Sequence, residues 1–202
     1  MFEFLTGSGL AAAAGLNAYV PLLAVGVANR FFPEALNLPE GWSWLSNGWV
    51  LVILVVLLIV EFVADKIPAV DSINDIIQTI VRPTSGGLVF GSSSGATSLA
   101  VTDPAAFFQS NQWVPIVVGV VIALAVHGTK AAARPAANLA TLGVAAPLVS
   151  TAEDAASIGL TLAAILAPLL VIIGLIALVW VGIYLIRKRR ARARFSERFD
   201  SV

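Results

Sequence analysis

Charge-free stretches dominate the chain. Six of them, Phe4 to Asn29, Gly41 to Val60, Pro83 to Thr102, Pro104 to Thr129, Pro135 to Ala152 and Ala155 to Ile186, are near or above the roughly 17 to 25 residues that a helix needs to cross the hydrocarbon core of a bilayer. The pattern predicts an all-α fold, a polytopic helical membrane protein with about six transmembrane helices. Between the second and third stretches the pattern changes. Val70, Ile73, Ile76, Ile77, Ile80 and Val81 mark one helical stripe, while Asp71, Ser72, Asn74, Asp75, Gln78 and Thr79 are polar. Ser72 with Asp75 three positions later fits a capping box, and the segment is too short to span, so it reads as a short amphipathic helix at the inner interface or against the bundle.

Polar and small residues interrupt the apolar pattern at particular places. The first span contains Asn17, Tyr19 and Pro21; the proline clashes with the carbonyl four residues earlier, that of Asn17, and predicts a kink or break. Asn17 then either bonds to backbone at the kink or lines a cavity. Trp42, Trp44 and Trp49 in the following loop read as interface anchors. In the third span Gly87, Gly91 and Gly95 recur every four residues with Ser92, Ser93 and Ser94 among them, a spacing for close helix packing or, in the rival reading, for a hydroxyl-lined pore. The fifth span is rich in small residues and carries Asn138 and Thr141, whereas the sixth, Ile158 to Ile186, is almost purely apolar and reads as a lipid-facing wall.

Composition agrees with a membrane solvent: 58% of residues are hydrophobic and 12% charged, against a soluble average of roughly 25% charged. One transmembrane domain, residues 1–186, uses almost the whole chain and leaves no room for a separate soluble catalytic domain. The net charge of zero hides an asymmetry, because residues 187–202 hold seven of the twelve basic residues against Glu197 and Asp200. By the positive-inside rule this basic tail is cytoplasmic, and six crossings place the N-terminus there too. The loops at 31–48, 103–112 and 151–157 then lie outside with Glu34, Glu40, Asp103, Glu153 and Asp154, while Lys66, Arg82, Lys130 and Arg134 fall inside. Arg30 alone sits awkwardly. The absence of cysteine excludes disulfides and thiol chemistry. Met-Phe-Glu-Phe at the start lacks the basic region of a cleaved signal peptide.

Spans two and three match spans four and five in plan, forming two pseudo-repeated hairpins. In each, a bulky apolar helix descends to charged residues, and an Arg-Pro dipeptide, Arg82-Pro83 or Arg134-Pro135, opens a small-residue helix. Helix starts of this kind attract anions, and transporters commonly place their site between repeats. The plainer reading is two ordinary inner-face arginines.

The chemistry concentrates near the inner face. Glu61 and Asp65 share a helix face beside Lys66, and His127, Lys130 and Arg134 share another if their helix runs through. Facing each other, the two sets form a neutralised network. His127 is the only histidine and a candidate proton relay. One histidine and two carboxylates make a nonspecific metal set, and no metal site, cofactor, nucleophile motif, Walker loop or nucleic-acid motif is inferred.

With Gly15-Leu-Asn-Ala-Tyr-Val-Pro-Leu-Leu23, Val60-Glu-Phe-Val-Ala-Asp-Lys-Ile-Pro68, Asp71-Ser72, Arg82-Pro83 and the stretch from Arg134 to Ser150 in view, the chain resembles a bacterial membrane-protein family catalogued only as a domain of unknown function. The resemblance covers nearly all of residues 5–150. It implies the membrane class and leaves activity and substrate open.

These observations converge on an expectation: a small transporter or channel-like protein of the bacterial cytoplasmic membrane for an ion or small anionic solute, in one version proton-coupled, and not an enzyme. Its site residues are Glu61, Asp65 and Lys66, with His127 as relay, Arg82, Lys130 and Arg134 toward an anionic group, and Asn17 and Asn138 lining the cavity. So short a chain encloses a pathway most readily as a homo-oligomer. The alternative is a non-transporting scaffold or lipid-binding assembly whose basic tail holds anionic lipids.

Overall fold

The computed structural model describes residues 2–34, 36–94, 111–141 and 146–199, and every regular element among them is helical. In chain order these are α1 (Phe2–Leu16), α2 (Tyr19–Phe31), a 3-10 helix (Glu40–Ser46), α3 (Gly48–Ala64), α4 (Pro68–Ser93), α5 (Trp113–Thr141), α6 (Ala146–Leu166) and α7 (Leu169–Phe199). Two stretches, Trp113–Arg134 and Pro147–Leu166, are long and apolar enough to cross a membrane, and a third qualifies if the 3-10 helix and α3, bent by 57°, are one span.

The bundle is built around α1. Its Gly-Ser-Gly-Leu-Ala-Ala-Ala-Ala-Gly sequence has little side-chain bulk, so α4, α5, α6 and α7 all reach its surface, and every residue from Thr6 to Ala18 is buried. A side chain at Gly9 would meet Ala164 and Val171, and one at Gly15 would meet the Ala123 carbonyl at 2.6 Å. Hydroxyls fix the register of α1 against antiparallel α6: Thr6 Oγ1 donates to the Ala164 carbonyl at 3.0 Å, and Ser157 Oγ to the Ala13 carbonyl at 3.0 Å.

The first charge-free stretch does not form one crossing. It breaks at Asn17-Ala18 and turns back, so the far ends of α1 and α2 lie at the same end of the bundle. Phe4 stacks edge-on against Phe90 there, while Gly26 of α2 packs on Leu45 and Leu51, and Trp42 packs on Gly91. The turn is made by Asn17, whose Oδ1 accepts the backbone N–H groups of Tyr19 and Val20, both at 3.1 Å. Pro21 then falls in the first turn of α2, where its missing donor costs nothing.

The expected short helix over 70–81 and the third span form a single helix, α4, with Pro83 in its interior. Gln78, Arg82, Ser85, Val89 and Ser92 make one continuous buried stripe, and packing of that stripe on α1 and α5 holds the helix through the proline. Arg82-Pro83 therefore opens no helix. Arg134-Pro135 also lies inside a helix, α5, which continues to Thr141, so neither dipeptide marks the anion-attracting start or the repeated hairpin that the sequence suggested. The helix that holds Arg134-Pro135 runs to Thr141 and α6 begins at Ala146, so the expected fifth span over 135–152 is not a single element.

Along α4 the glycines serve close packing. Gly86 faces Gly119 backbone to backbone, and Gly87 and Gly91 face Ile116. Ser92 and Ser93 are buried, and both donate to the Val89 carbonyl of their own helix. Gly95 lies outside the described residues. Of the tryptophans, Trp42 is buried, while Trp44 and Trp49 are exposed as interface anchors would be. Arg30, awkward in the sequence, donates to the Ser46 carbonyl at 2.9 Å.

The sixth stretch is also broken, at Ala167-Pro168, and α7 folds back on α6 with Gly174 against Leu160. It then runs as helix into the basic tail. On α3 only Leu51, Leu54, Glu61 and Ala64 are buried; valines, isoleucines and leucines cover the rest, as on a lipid-facing wall.

Candidate functional site

At the end of the bundle where α1 breaks, four helices deliver charged groups to one layer. α3 ends there with Glu61 and, at its C-terminal boundary, Asp65. From α4 come Arg82, Asp75, Asn74 and Thr79, from α5 His127, Lys130 and Arg134, and from α6 Glu153 and Asp154. Because α5 runs unbroken, its three basic or imidazole groups do share a face, as their spacing predicts.

Arg82, fully enclosed, joins the two sides. Its Nη2 donates to Glu61 Oε1 at 2.8 Å and lies 3.5 Å from Asp65 Oδ2, while its Nη1 is 3.2 Å from His127 Nδ1. A guanidinium only donates, so Nδ1 accepts and the imidazole carries its single proton on Nε2, which meets Thr79 Oγ1 at 3.1 Å. Thr79 in turn donates to the Asp75 carbonyl at 2.8 Å. His127 is therefore uncharged in this arrangement. Arg82 also lies between Glu61 and His127 and bonds to both, which places a fixed cation where a metal shared by those two residues would have to sit.

Asp65 is the hub. Its Oδ2 accepts from Arg134 Nη2 at 3.2 Å and Lys130 Nζ at 3.4 Å, and its Oδ1 accepts from Asn74 Nδ2 at 2.7 Å. Burial opposes the charge on this carboxylate, and Lys130, Arg134 and Arg82 offset that cost. Glu153 closes the ring, with Oε2 at 2.8 Å from Arg134 Nη2 and 3.0 Å from Lys130 Nζ. Lys130 also donates to the Leu16 carbonyl at 3.2 Å, placing an ammonium on the C-terminal end of α1, where the helix dipole favours it.

At the edge of the layer, Asn17 Nδ2 donates to Asp154 Oδ1 at 3.1 Å, and Lys66 Nζ lies 3.5 Å from Asp154 Oδ2. Lys66 has nearer partners: it donates to the Phe62 carbonyl at 3.1 Å and sits 3.1 Å from the Phe62 ring centroid. Asn17 thus both caps α2 through its oxygen and lines a cavity through its side chain, combining the two readings its sequence context left open. That cavity, of about 250 Å³, is lined by Asn17, Val20, Leu58, Ile59, Phe62, Asp154 and Ile158.

A family description, Domain of unknown function (DUF4126), matches residues 4–188. The chain belongs to the DUF4126 family. No curated protein and no solved structure matches it. Family membership supports the expected resemblance, and for this DUF4126 chain the chemistry must be read from its own side chains.

Of the residues singled out in the sequence, Glu61, Asp65, Lys66, Arg82, His127, Lys130 and Arg134 come together, with Asn17 at their edge; the side chain of Asn138 lies outside those described. Sequence reasoning missed Glu153 and Asp154 and put them in an outer loop on the opposite side from Lys66, Lys130 and Arg134. The structure pairs them with those very cations. The signal lay in Ala146-Pro147, a proline in the first turn of a helix, with Glu153 and Asp154 two turns on and apolar residues beyond.

Proposed function

We propose that this chain is a small membrane transporter whose buried ion network carries one exchangeable proton. The observation behind it is an odd charge beside a broken helix. Among the described residues the layer sets five carboxylates, Glu61, Asp65, Asp75, Glu153 and Asp154, against four cations, Lys66, Arg82, Lys130 and Arg134, with His127 uncharged. A buried network is stable only near neutrality, so one further positive charge belongs to it. Glu61 is the natural carrier: it is 1% exposed, and its Oε2 has no hydrogen-bond partner. A proton on Oε2 neutralises the excess and leaves Oε1 to accept from Arg82.

Discontinuous helices with charged groups at the break are what transporters use to bind ions within a membrane. Here α1 and α2 break at Asn17 beside this layer. From Asp154 to the end of α6 is roughly 18 Å of helix, shorter than the hydrocarbon core of about 30 Å, which puts the charges inside the bilayer's depth. With α1 and α2 turned back, α3 to α7 make five crossings. The basic tail then faces the cytoplasm of a bacterial inner membrane and the N-terminus lies outside, opposite to the expectation from six crossings. Since the cations already hold carboxylates and the net charge is negative, this proposal assigns proton or cation movement instead of an anionic solute. Pathway closure by a homo-oligomer, and anionic lipids on the tail, belong to the same proposal.

The test is flux. Protein reconstituted in liposomes with an internal pH dye is expected to move protons under a solute or voltage gradient, and Glu61→Gln is expected to stop it. No movement of protons or ions under any gradient, with the same leak in Glu61→Gln, removes the transport reading. That outcome favours the second reading, a membrane scaffold, which has one observation in its support: Arg82, Lys130 and Arg134 are each enclosed and already paired.

A further inference from the structure

The cavity between α3 and α6 presents only apolar surface. Its walls are Val20, Leu58, Ile59, Phe62 and Ile158, while Asn17 and Asp154 lie behind them with their side chains bonded to each other. Ile59 and Ile158 are also exposed on the outer surface of the bundle, at 58% and 48%, so the cavity opens sideways, toward lipid, between two helices that share little contact. Left empty, a space of about 250 Å³ deprives its lining of packing partners, and it exceeds the roughly 150 Å³ that takes up a benzene-sized molecule. Within a bilayer the apolar matter at hand is acyl chain.

A chain alone would not distinguish one lipid from another, because lipid tails are as apolar as the groove. The rim does. Lys66 stands there: its Nζ donates to the Phe62 carbonyl, lies over the Phe62 ring and is 3.5 Å from Asp154 Oδ2, and Phe62 and Asp154 both belong to the cavity. Of the three ammonium donors, one goes to that carbonyl and one faces Asp154, which leaves a third for a ligand. The side chain keeps 27% exposure while Asp154 is buried behind it, so a head group arriving from outside meets the cation first. Depth agrees with this. From Trp49, exposed in the first turn of α3, to Lys66 just past its end is roughly 25 Å of helix, against about 30 Å of hydrocarbon, which brings the ammonium within snorkelling reach of the opposite head groups.

We infer that this groove holds one anionic phospholipid, with an acyl chain between α3 and α6 and its phosphate on Lys66. Leu58, Phe62 and Lys66 follow one another four residues apart, so the cation sits above the chain site as a phosphate sits above its acyl chain. The lipid comes from the leaflet at the end of the bundle where α7 runs into the basic tail. Attraction of anionic lipid to that tail needs no groove, so the two sites answer to different substitutions. The inference goes beyond the transport reading and does not rest on it: it requires only that α3 crosses the bilayer.

The experiment counts lipids bound to the full-length protein by native mass spectrometry from detergent micelles, with phosphatidylcholine, phosphatidylglycerol and chain-free glycerol phosphate as probes. Phosphatidylcholine, which a basic tail does not attract, reads the groove, and one per chain is expected to be retained saturably. Phosphatidylglycerol is expected to displace it one for one and to bind about fivefold tighter, as one lysine near anionic head groups contributes. Glycerol phosphate should displace nothing. Ile59→Trp, which fills the groove from its lipid side, should lose the retained phosphatidylcholine, whereas Ile176→Trp, on an exposed face of α7, should keep it. Lys66→Gln should abolish the advantage of phosphatidylglycerol. Should Lys66→Gln not fold, the displacement ratio in the unaltered protein and the Ile59→Trp result decide. Absence of retained lipid, phosphatidylglycerol that adds beside phosphatidylcholine without displacing it, equal affinity for the two, an advantage that survives Lys66→Gln, or indifference to Ile59→Trp overturns the inference. Retention in the expected pattern by a protein that moves nothing through liposomes would leave this site standing and remove the transport reading.

Discussion

Where α4 crosses α5 at Gly86 and Gly119, no side chain stands between the two backbones. One turn further along α4 and two along α5, Arg82 and His127 fill the same interface and bond to each other. Both regions are buried, and both hold α4 to α5, yet one is made of what is left out and the other of charges. The glycine region is fixed by shape: an added carbon at Gly86 or Gly119 meets the carbonyl of the other glycine and the Cβ of Ala123 or Phe90, none of which moves aside readily. The charged region is fixed by balance, since its groups tolerate a change of shape better than a change of charge. This contrast makes opposite demands on substitution, and it can be broken at either end.

The largest effect is expected at the hub. Asp65→Asn removes the carboxylate that Lys130, Arg134 and Arg82 share, and ionisation of Glu61, which lies on Arg82, restores the net charge without replacing that partner for Lys130 and Arg134. Loss of one partner from a buried pair costs about 3 to 5 kcal/mol, to be measured by reversible unfolding in mixed micelles. In the glycine region, Gly86→Val is expected to cost about 1 to 3 kcal/mol or more by overpacking, since its first added carbon would already lie 2.8 Å from the Gly119 carbonyl oxygen. Unchanged stability there would mean the helices are free to part.

Smaller effects sharpen the comparison. Glu61→Gln keeps the shape and mimics the protonated carboxyl, so it should cost under about 1 kcal/mol although Glu61 is as buried as Asp65. Equal losses at Glu61 and Asp65 would contradict the charge balance. Gly128→Ala, on an open face of α5 with nothing within 4 Å, should stabilise by about 0.5 to 1 kcal/mol through helix propensity alone.

The all-helical class and the meeting of Glu61 and Asp65 with His127, Lys130 and Arg134 were legible, because helical spacing and a paucity of charge leave few alternatives. The rest was hidden for physical reasons. A charge-free window marks where a chain tolerates lipid, and says nothing of where it turns inside protein. The fold-back at Asn17 therefore vanished into one apolar stretch, and the turn at Ala167-Pro168 into another. Glu153 and Asp154 were sent to a loop because carboxylates are costly in lipid, yet inside the bundle Lys66, Lys130 and Arg134 offset that cost. Pro83 reads as a helix start in isolation; packing of α4 on both sides of it decided otherwise.

All of this turns on a single proton. Infrared spectroscopy of the reconstituted protein at neutral pH observes a protonated carboxyl directly, through its C=O stretch apart from the carboxylate bands. The charge balance predicts one such band, lost in Glu61→Gln and retained in Gly128→Ala, which leaves every charge in place. A spectrum with no protonated carboxyl, or a band indifferent to Glu61→Gln, would contradict it.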